Sequence, residues 1–184
     1  FDGVWAPSVS APTCEWIEMT APILTAGPVR LHPICVQDED LYLRLHASVE
    51  TMRHVSAVVG ADTARLRFSD ACRLTCSRDP AYWVWTVSSP DRREGAGIIL
   101  LMAGVSSAEI GVLLLREWQG HGLGTHAVNA ITEYCFNTLC LLRVESRQRP
   151  NNIGWERLME RCSFRRVESA RLSEDWTRWR RDRD

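Results

Sequence analysis

Residues 108 to 127 read Ala108-Glu-Ile-Gly-Val-Leu-Leu-Leu-Arg-Glu-Trp-Gln-Gly-His-Gly-Leu-Gly-Thr-His-Ala127. The apolar run Ile110 to Leu115 has the character of a buried strand. It meets a glycine-rich turn, Gly120-His-Gly-Leu-Gly124, and then a segment with Leu123, Ala127, Ile131 and Cys135 at helical spacing. The stretch is therefore strand, glycine loop, helix. Such a loop lets backbone N–H groups converge on an anion, and the start of the helix adds about half a positive charge. A phosphate or pyrophosphate is the ligand this arrangement favours.

Two fingerprints fit that geometry. Gly122-x-Gly124-x-x-Ala127 matches the dinucleotide pattern GxGxxA, with Glu145 about the right distance downstream for a ribose contact. A dinucleotide fold, however, opens a long βαβ series, and the segments before Gly120 read as antiparallel strands. Gln119-x-x-Gly122-x-Gly124 fits a second pattern, (Q/R)xxGx(G/A), whose meaning depends on the rest of the chain.

Working outward, 184 residues suit one domain with a full core. The 22 basic and 23 acidic residues balance, and 45% of the chain is apolar, which argues against disorder and against a general nucleic-acid binder. Every basic residue is arginine. Seven cysteines are scattered without CxxC pairs, as expected for reduced thiols in a cytoplasmic protein. Cys72 and Cys76 lie i, i+4 on an expected helix; with no histidine near them in sequence, they read as small buried apolar residues. There is no signal peptide and no apolar run near 18 residues, so no membrane contact is expected. The chain opens at Phe1 rather than Met, which leaves room for residues before it.

Residues 1–22, with Pro7, Pro12, Pro22, Trp5 and Trp16, read as an irregular arm before a single domain over 23–184. The domain begins with a strand at 29–34. Helices are expected from Asp38 or Asp40 through Ser48, over 49–59 up to Gly60, and over 62–76. Strands at 82–88, 96–103 and 108–115, joined by short turns, form an antiparallel meander. After the glycine loop come a helix to about 139, a strand at 141–147, a helix at 153–162, and strands at 164–168 and 176–181.

This order resembles the GNAT superfamily of N-acetyltransferases, and within it the RimJ/RimL branch. Three stretches carry the resemblance: Val29-Arg-Leu-His-Pro-Ile34 before an acidic helix start; Ala108-Glu-Ile-Gly111 through Gln119-Gly-His-Gly-Leu-Gly124; and Asn152 followed by Leu158-Met-Glu-Arg-Cys-Ser-Phe164. The resemblance implies an α/β (α+β) fold with a mixed central sheet of six to seven strands flanked by helices. It implies acetyl-CoA as cosubstrate and no metal. The pantetheine arm would pair with the strand backbone at Val112, Leu113 and Leu114, and Asn152 would contact it. The pyrophosphate would rest on Gln119, Gly120, His121, Gly122, Leu123, Gly124 and Thr125. The acceptor would be an amine, either a peptide N-terminus or a small amino metabolite or antibiotic, and the chain would act as a monomer or homodimer. Four positions depart from the family: Met159 replaces a tyrosine acid, Trp155 a serine, Ser163 a glycine and His126 a glutamate.

The chemistry sets its own demands. The amine must be neutral to attack the thioester. An α-amine of pKa about 8 meets that condition near neutral pH, whereas a lysine-type amine at about 10.4 is neutral only about one part in two thousand at pH 7, a handicap of roughly 3 kcal/mol. A weak base is enough for the former, and a strand amide near Val112 can polarise the carbonyl. Glu145 and Glu109 are the candidate bases, with Glu168 a third; each is also an ordinary solvated carboxylate. The reading without turnover, a GNAT-fold protein that only holds CoA, follows from Met159 and Trp155. The arginine-rich end with Trp176 and Trp179 reads as an edge strand with a solvated tail rather than a nucleic-acid patch.

Overall fold

The computed structural model describes residues 20–77, 81–89, 94–167 and 176–183. The expected arm (1–22, all but its last three residues), the turn after Ser89 and Glu168 therefore lie outside the described residues.

One sheet of eight strands runs through the molecule in the order β1-β2-β3-β4-β5-β6-β8-β7. The first two strands, β1 (Leu24–Ala26) and β2 (Val29–Pro33), form a hairpin. The sequence reading held only the second. Its turn is Gly27-Pro28, with Gly27 at φ +55°, the kind of first loop position that favours glycine in a two-residue hairpin. Next come α1 (Glu39–Ala47), α2 (Val49–Met52) and α3 (Ala61–Thr75). The helix expected over 49–59 is a single turn capped by Ser48, whose Oγ accepts from the Thr51 amide. The segment beyond it, with β-branched Val55, Val58 and Val59, leaves the helix. The meander follows as β3 (Tyr82–Ser88), β4 (Gly95–Ala103) and β5 (Ser107–Leu114).

The second half is α4 (Leu123–Asn137), β6 (Arg143–Gln148), α5 (Ile153–Arg161), β7 (Arg165–Val167) and β8 (Thr177–Asp182). The last strand is not an edge: β8 inserts between β6 and β7. Trp179 explains why, since its side chain is buried in the core and rules out a solvated stacking platform.

Side chains alternate across the sheet, and each face has its own core. On one face, Val29, Leu31, Trp83, Trp85, Ile99, Ile110 and Val144 pack against α4, with Met159 of α5. On the other, Ile34, Val84 and Ile98 pack against α1 and α3 through Leu41, Leu45 and Phe68. That second cover stops at β5. On this face the odd-numbered residues of β6 (Arg143, Glu145, Arg147) and the even-numbered residues of β8 (Arg178, Arg180, Asp182) are charged, and Asp182 pairs with Arg143, Arg165 and Arg180. Cys76, expected in the core, is exposed at the end of α3. Among the described residues no helix is long and apolar enough to cross a membrane.

Candidate active site

The two halves of the sheet join through β5 and β6, its parallel pair. Their pairing covers only Ser107↔Arg143, Ala108↔Val144 and Glu109↔Glu145. One further tie, Ser146 Oγ donating to the Ile110 carbonyl at 3.0 Å, closes the joined section. Beyond it the strands part, while β5 stays paired with β4 as far as Leu114.

The register decides which peptide groups face the gap. The Leu115 amide donates to Ala96 of β4 at 2.9 Å. Peptide groups alternate sides along a strand, so Leu113 and Gly111 also turn toward β4, while Ile110, Val112 and Leu114 turn toward the gap. The Leu113 backbone is therefore used inside the sheet, on the β4 side. Its carbonyl points at Gly97, where a Cβ would lie 2.1 Å from the Leu113 oxygen. Val112 keeps an amide and a carbonyl for a ligand. The Leu114 carbonyl is taken by Gln119, whose Nε2 donates to it at 3.0 Å. Gln119 thus ties the strand end to the start of the loop.

The loop then turns through Gly120 and Gly122, both at φ +81°. A side chain at either would meet nothing within 4 Å, so conformation and not space calls for glycine there. Gly122 is the N-cap of α4 and supplies no side chain; the first amide with an intrahelical acceptor is that of His126, bonded to Gly122. The amides of Leu123, Gly124 and Thr125 are the first-turn donors that a helix leaves without internal partners. No acidic residue stands in that turn to compete for an anion. Gly124 differs from the other two glycines. A Cβ there would touch Leu114 and Leu158 at 3.5 Å, so it faces the packed side and allows α4 to approach β5 and α5 closely. His121 is exposed on the loop.

Across the gap, Asn152 caps α5: its Oδ1 accepts from the Trp155 amide at 3.2 Å. Its Nδ2 is the part of that side chain left for another partner. Beside it, the Trp155 indole N–H and Gln148 Oε1 are buried and find no partner among the described residues.

Glu109 and Glu145 are register neighbours with side chains on the same face, away from α4. They differ in company. Arg147 grips Glu109 with Nε at 2.9 and 3.0 Å and Nη2 at 2.8 Å. Glu145 makes no hydrogen bond or ion pair among the described residues. Met159 is fully buried in the core, where a thioether neither reaches solvent nor donates a proton. Tyr134, another conceivable acid, is held between Trp83 and Trp85, and burial pushes its hydroxyl up to about 12. It lies eleven residues into α4, about 16 Å along the axis from the loop.

A split parallel pair, a glycine loop and an uncapped helix start occur together here. The model of the Acetyltransferase (GNAT) domain matches residues 29–165. The chain belongs to that family. This GNAT domain is 32% identical over 101 residues to the Probable N-acetyltransferase YjcK of Bacillus subtilis (strain 168), a match over 54% of this chain and 55% of that protein. The match thus spans about half the length of that curated relative. Among solved structures it is similar to RimL, a ribosomal L7/L12 alpha-N-protein acetyltransferase in complex with coenzyme A. The TM-score is 0.73 at 15% identity, over 88% of this chain and 98% of that one. It is also similar to spermidine N-acetyltransferase from Vibrio cholerae in complex with CoA and spermine, with TM-score 0.71 and 19% identity over 85% and 96%. These structural likenesses establish the GNAT fold.

Sequence reasoning missed Ser146 and Arg147. The only signal for either was strand parity, and parity without register could not pair them with Ile110 and Glu109.

Proposed function

We propose that this GNAT domain is an N-acetyltransferase that moves the acetyl group of acetyl-CoA to a primary amine by direct attack within a ternary complex. The observation that carries the reading is the parting of β5 from β6. It leaves the Val112 peptide group facing a gap that ends at the uncapped start of α4.

Acetyl-CoA supplies an activated acyl group in its thioester. In this reading the amides of Gly120 to Thr125 hold its pyrophosphate, and Val112 pairs with the pantetheine amides as a strand would. The Asn152 Nδ2 and the Trp155 indole N–H supply donors on the opposite wall. The Val112 amide also stands ready to stabilise negative charge on the carbonyl oxygen. Leu113 and Glu145 lie on the other face of the same gap, which makes that face the acceptor side. The amine nitrogen bonds to the acyl carbon, the carbon–sulfur bond breaks, and CoA leaves as a thiolate. The proton lost from nitrogen passes to Glu145, directly or through water. A thiol of pKa about 8.5 can leave without a tyrosine acid, so Met159 is compatible with turnover. An α-amine is the favoured acceptor because it is appreciably neutral near pH 7 and needs only a weak base, which a carboxylate such as Glu145 supplies. That points to a peptide N-terminus or a small amino metabolite or antibiotic, in keeping with the RimJ/RimL branch.

Met159 and Trp155 favour a second reading, a GNAT domain that binds CoA without turnover. The two separate in a thiol-release assay with acetyl-CoA against peptides with free N-termini, polyamines, amino acids and aminoglycosides. Thiol release with any of them supports the enzyme. Binding of acetyl-CoA with no release across the panel supports the second reading. Stabilisation by NAD(P) and not by acetyl-CoA would reject both.

A further inference from the structure

A cluster of donor groups lies away from that gap, where β2 leaves the sheet. The chain passes from His32 through Cys35 into a 3-10 turn at Val36–Asp38. Asp38 folds back on the turn: its Oδ2 accepts from the Cys35 amide at 2.9 Å and from the Cys35 thiol at 3.2 Å. His32 Nδ1 stands 3.9 Å from the same oxygen and 3.3 Å from the Pro33 carbonyl. One imidazole nitrogen, one thiol sulfur and one carboxylate oxygen thus lie within 4.8 Å of one another, all half-buried.

The end of α3 reaches the same place. The Ile34 amide donates to the Val84 carbonyl at 2.9 Å, and the Val84 amide donates to Thr75 Oγ1 at 3.0 Å. This brings the last turn of α3, with Cys72 and Cys76, against the chain at Cys35.

We propose that His32, Cys35 and Asp38 bind a divalent cation of the zinc class. A set of thiolate, imidazole and carboxylate suits zinc; magnesium and calcium take oxygen ligands instead. Tetrahedral zinc with ordinary bond lengths places its ligand atoms roughly 3.3 to 3.8 Å apart. The three atoms here need only small side-chain rotations to reach that spacing. A local turn accounts for the contact between Cys35 and Asp38, but not for His32 beside them or for two more thiols on another helix. On binding, each thiol loses its proton to solvent as its sulfur–metal bond forms.

His32 is in register with Thr86, Ile98 and Leu113 across the sheet. Three strand spacings, about 14 Å, therefore separate this site from β5. Its role is to fasten the start of α1 to the end of β2, independently of any acetyl transfer.

The test is a Co2+ titration of the full chain, reduced and stripped with chelator, read by absorbance. The expected result is one equivalent bound, with a thiolate-to-cobalt charge-transfer band and the intense visible bands of tetrahedral cobalt. Zn2+ should then displace it. His32→Gln and Cys35→Ser should each weaken binding by about tenfold or more, and Cys35→Ser should abolish the charge-transfer band. Cys140→Ser, at an exposed thiol elsewhere, should change nothing. Circular dichroism confirms folding; His32→Gln changes a side chain that is partly exposed, so it keeps the test valid should Cys35→Ser misfold. Absence of the charge-transfer band, or a titration unaltered by His32→Gln, overturns the proposal.

Discussion

Glu145 and Glu109 stand side by side on one face of the sheet, and a single arginine separates their roles. Arg147 grips both carboxylate oxygens of Glu109, while Glu145 has no such partner among the described residues. Glu145→Gln should therefore lower kcat/KM by about 10²-fold, within the range for a general base, and Glu109→Gln should lower it less. Steady-state kinetics with the best amine of the panel decides this. Equal and negligible losses would reject a carboxylate base and leave catalysis by positioning. Met159 adds a second expectation. With no acid at that position and Tyr134 sealed in the core, the rate should rise with pH to a plateau, showing no falling limb between about pH 8 and 10. A falling limb would reveal an acid on a residue not yet assigned.

At the scale of elements, two features lend themselves to direct test. The first is the pair of strands that Gly97 brings together. A Cβ at Gly97 would lie 2.1 Å from the Leu113 carbonyl and 2.9 Å from the Leu114 Cα, both backbone atoms that cannot swing aside. Gly97→Ala should cost about 3 kcal/mol, at the upper end of ordinary overpacking, seen as a lowered denaturation midpoint. Gly124→Ala, whose new Cβ meets only side chains at ordinary contact distance, should be far milder. The second feature is α1. His46 is buried there, stacks on Tyr42 at 4.0 Å, and donates through Nδ1 to the Tyr42 carbonyl at 2.8 Å. Burial holds its pKa below the usual 6.5. The unfolded chain then takes up this proton first, so the contribution is intact above about pH 6.5 and declines as pH falls below it. His46→Gln should flatten the dependence of thermal stability between pH 7 and 5; an unchanged slope would place the titrating group elsewhere.

The same scale shows what could be read from the sequence. The glycine loop and α4 were legible because all their determinants are local: two positions that favour glycine, then a helical stripe from Leu123 to Cys135. The β1–β2 hairpin was missed because Leu24–Ala26 is too short to show alternation. The helix over 49–59 was overextended because apolar spacing alone does not register the weak helix propensity of Val55, Val58 and Val59. Along Ile110 to Leu115 a continuous apolar run gives no sign of which peptide groups a neighbouring strand takes, so the sequence alone does not separate Val112 from Leu113.

For the whole molecule, a ligand in the gap should act as a stabiliser. Acetyl-CoA at about a hundredfold over its Kd should add roughly 2.7 kcal/mol, provided it binds only the native state. Thermal denaturation with and without it measures this, and no shift at millimolar acetyl-CoA would count against the cofactor assignment.

The brief contact between β5 and β6 has a further consequence for how the molecule breathes. Three residue pairs, the Ser146 hydroxyl, the Leu142 amide on the Ser106 carbonyl and the Arg147–Glu109 ion pair tie β5 to β6, but all lie before Val112, whose amide has no strand to shield it. In hydrogen–deuterium exchange it should trade its proton quickly, in contrast to Leu113 next to it, which is locked to Ile98. Loading the protein with CoA should slow Val112 selectively, because the cosubstrate would then stand in as the missing rung between the two parted strands.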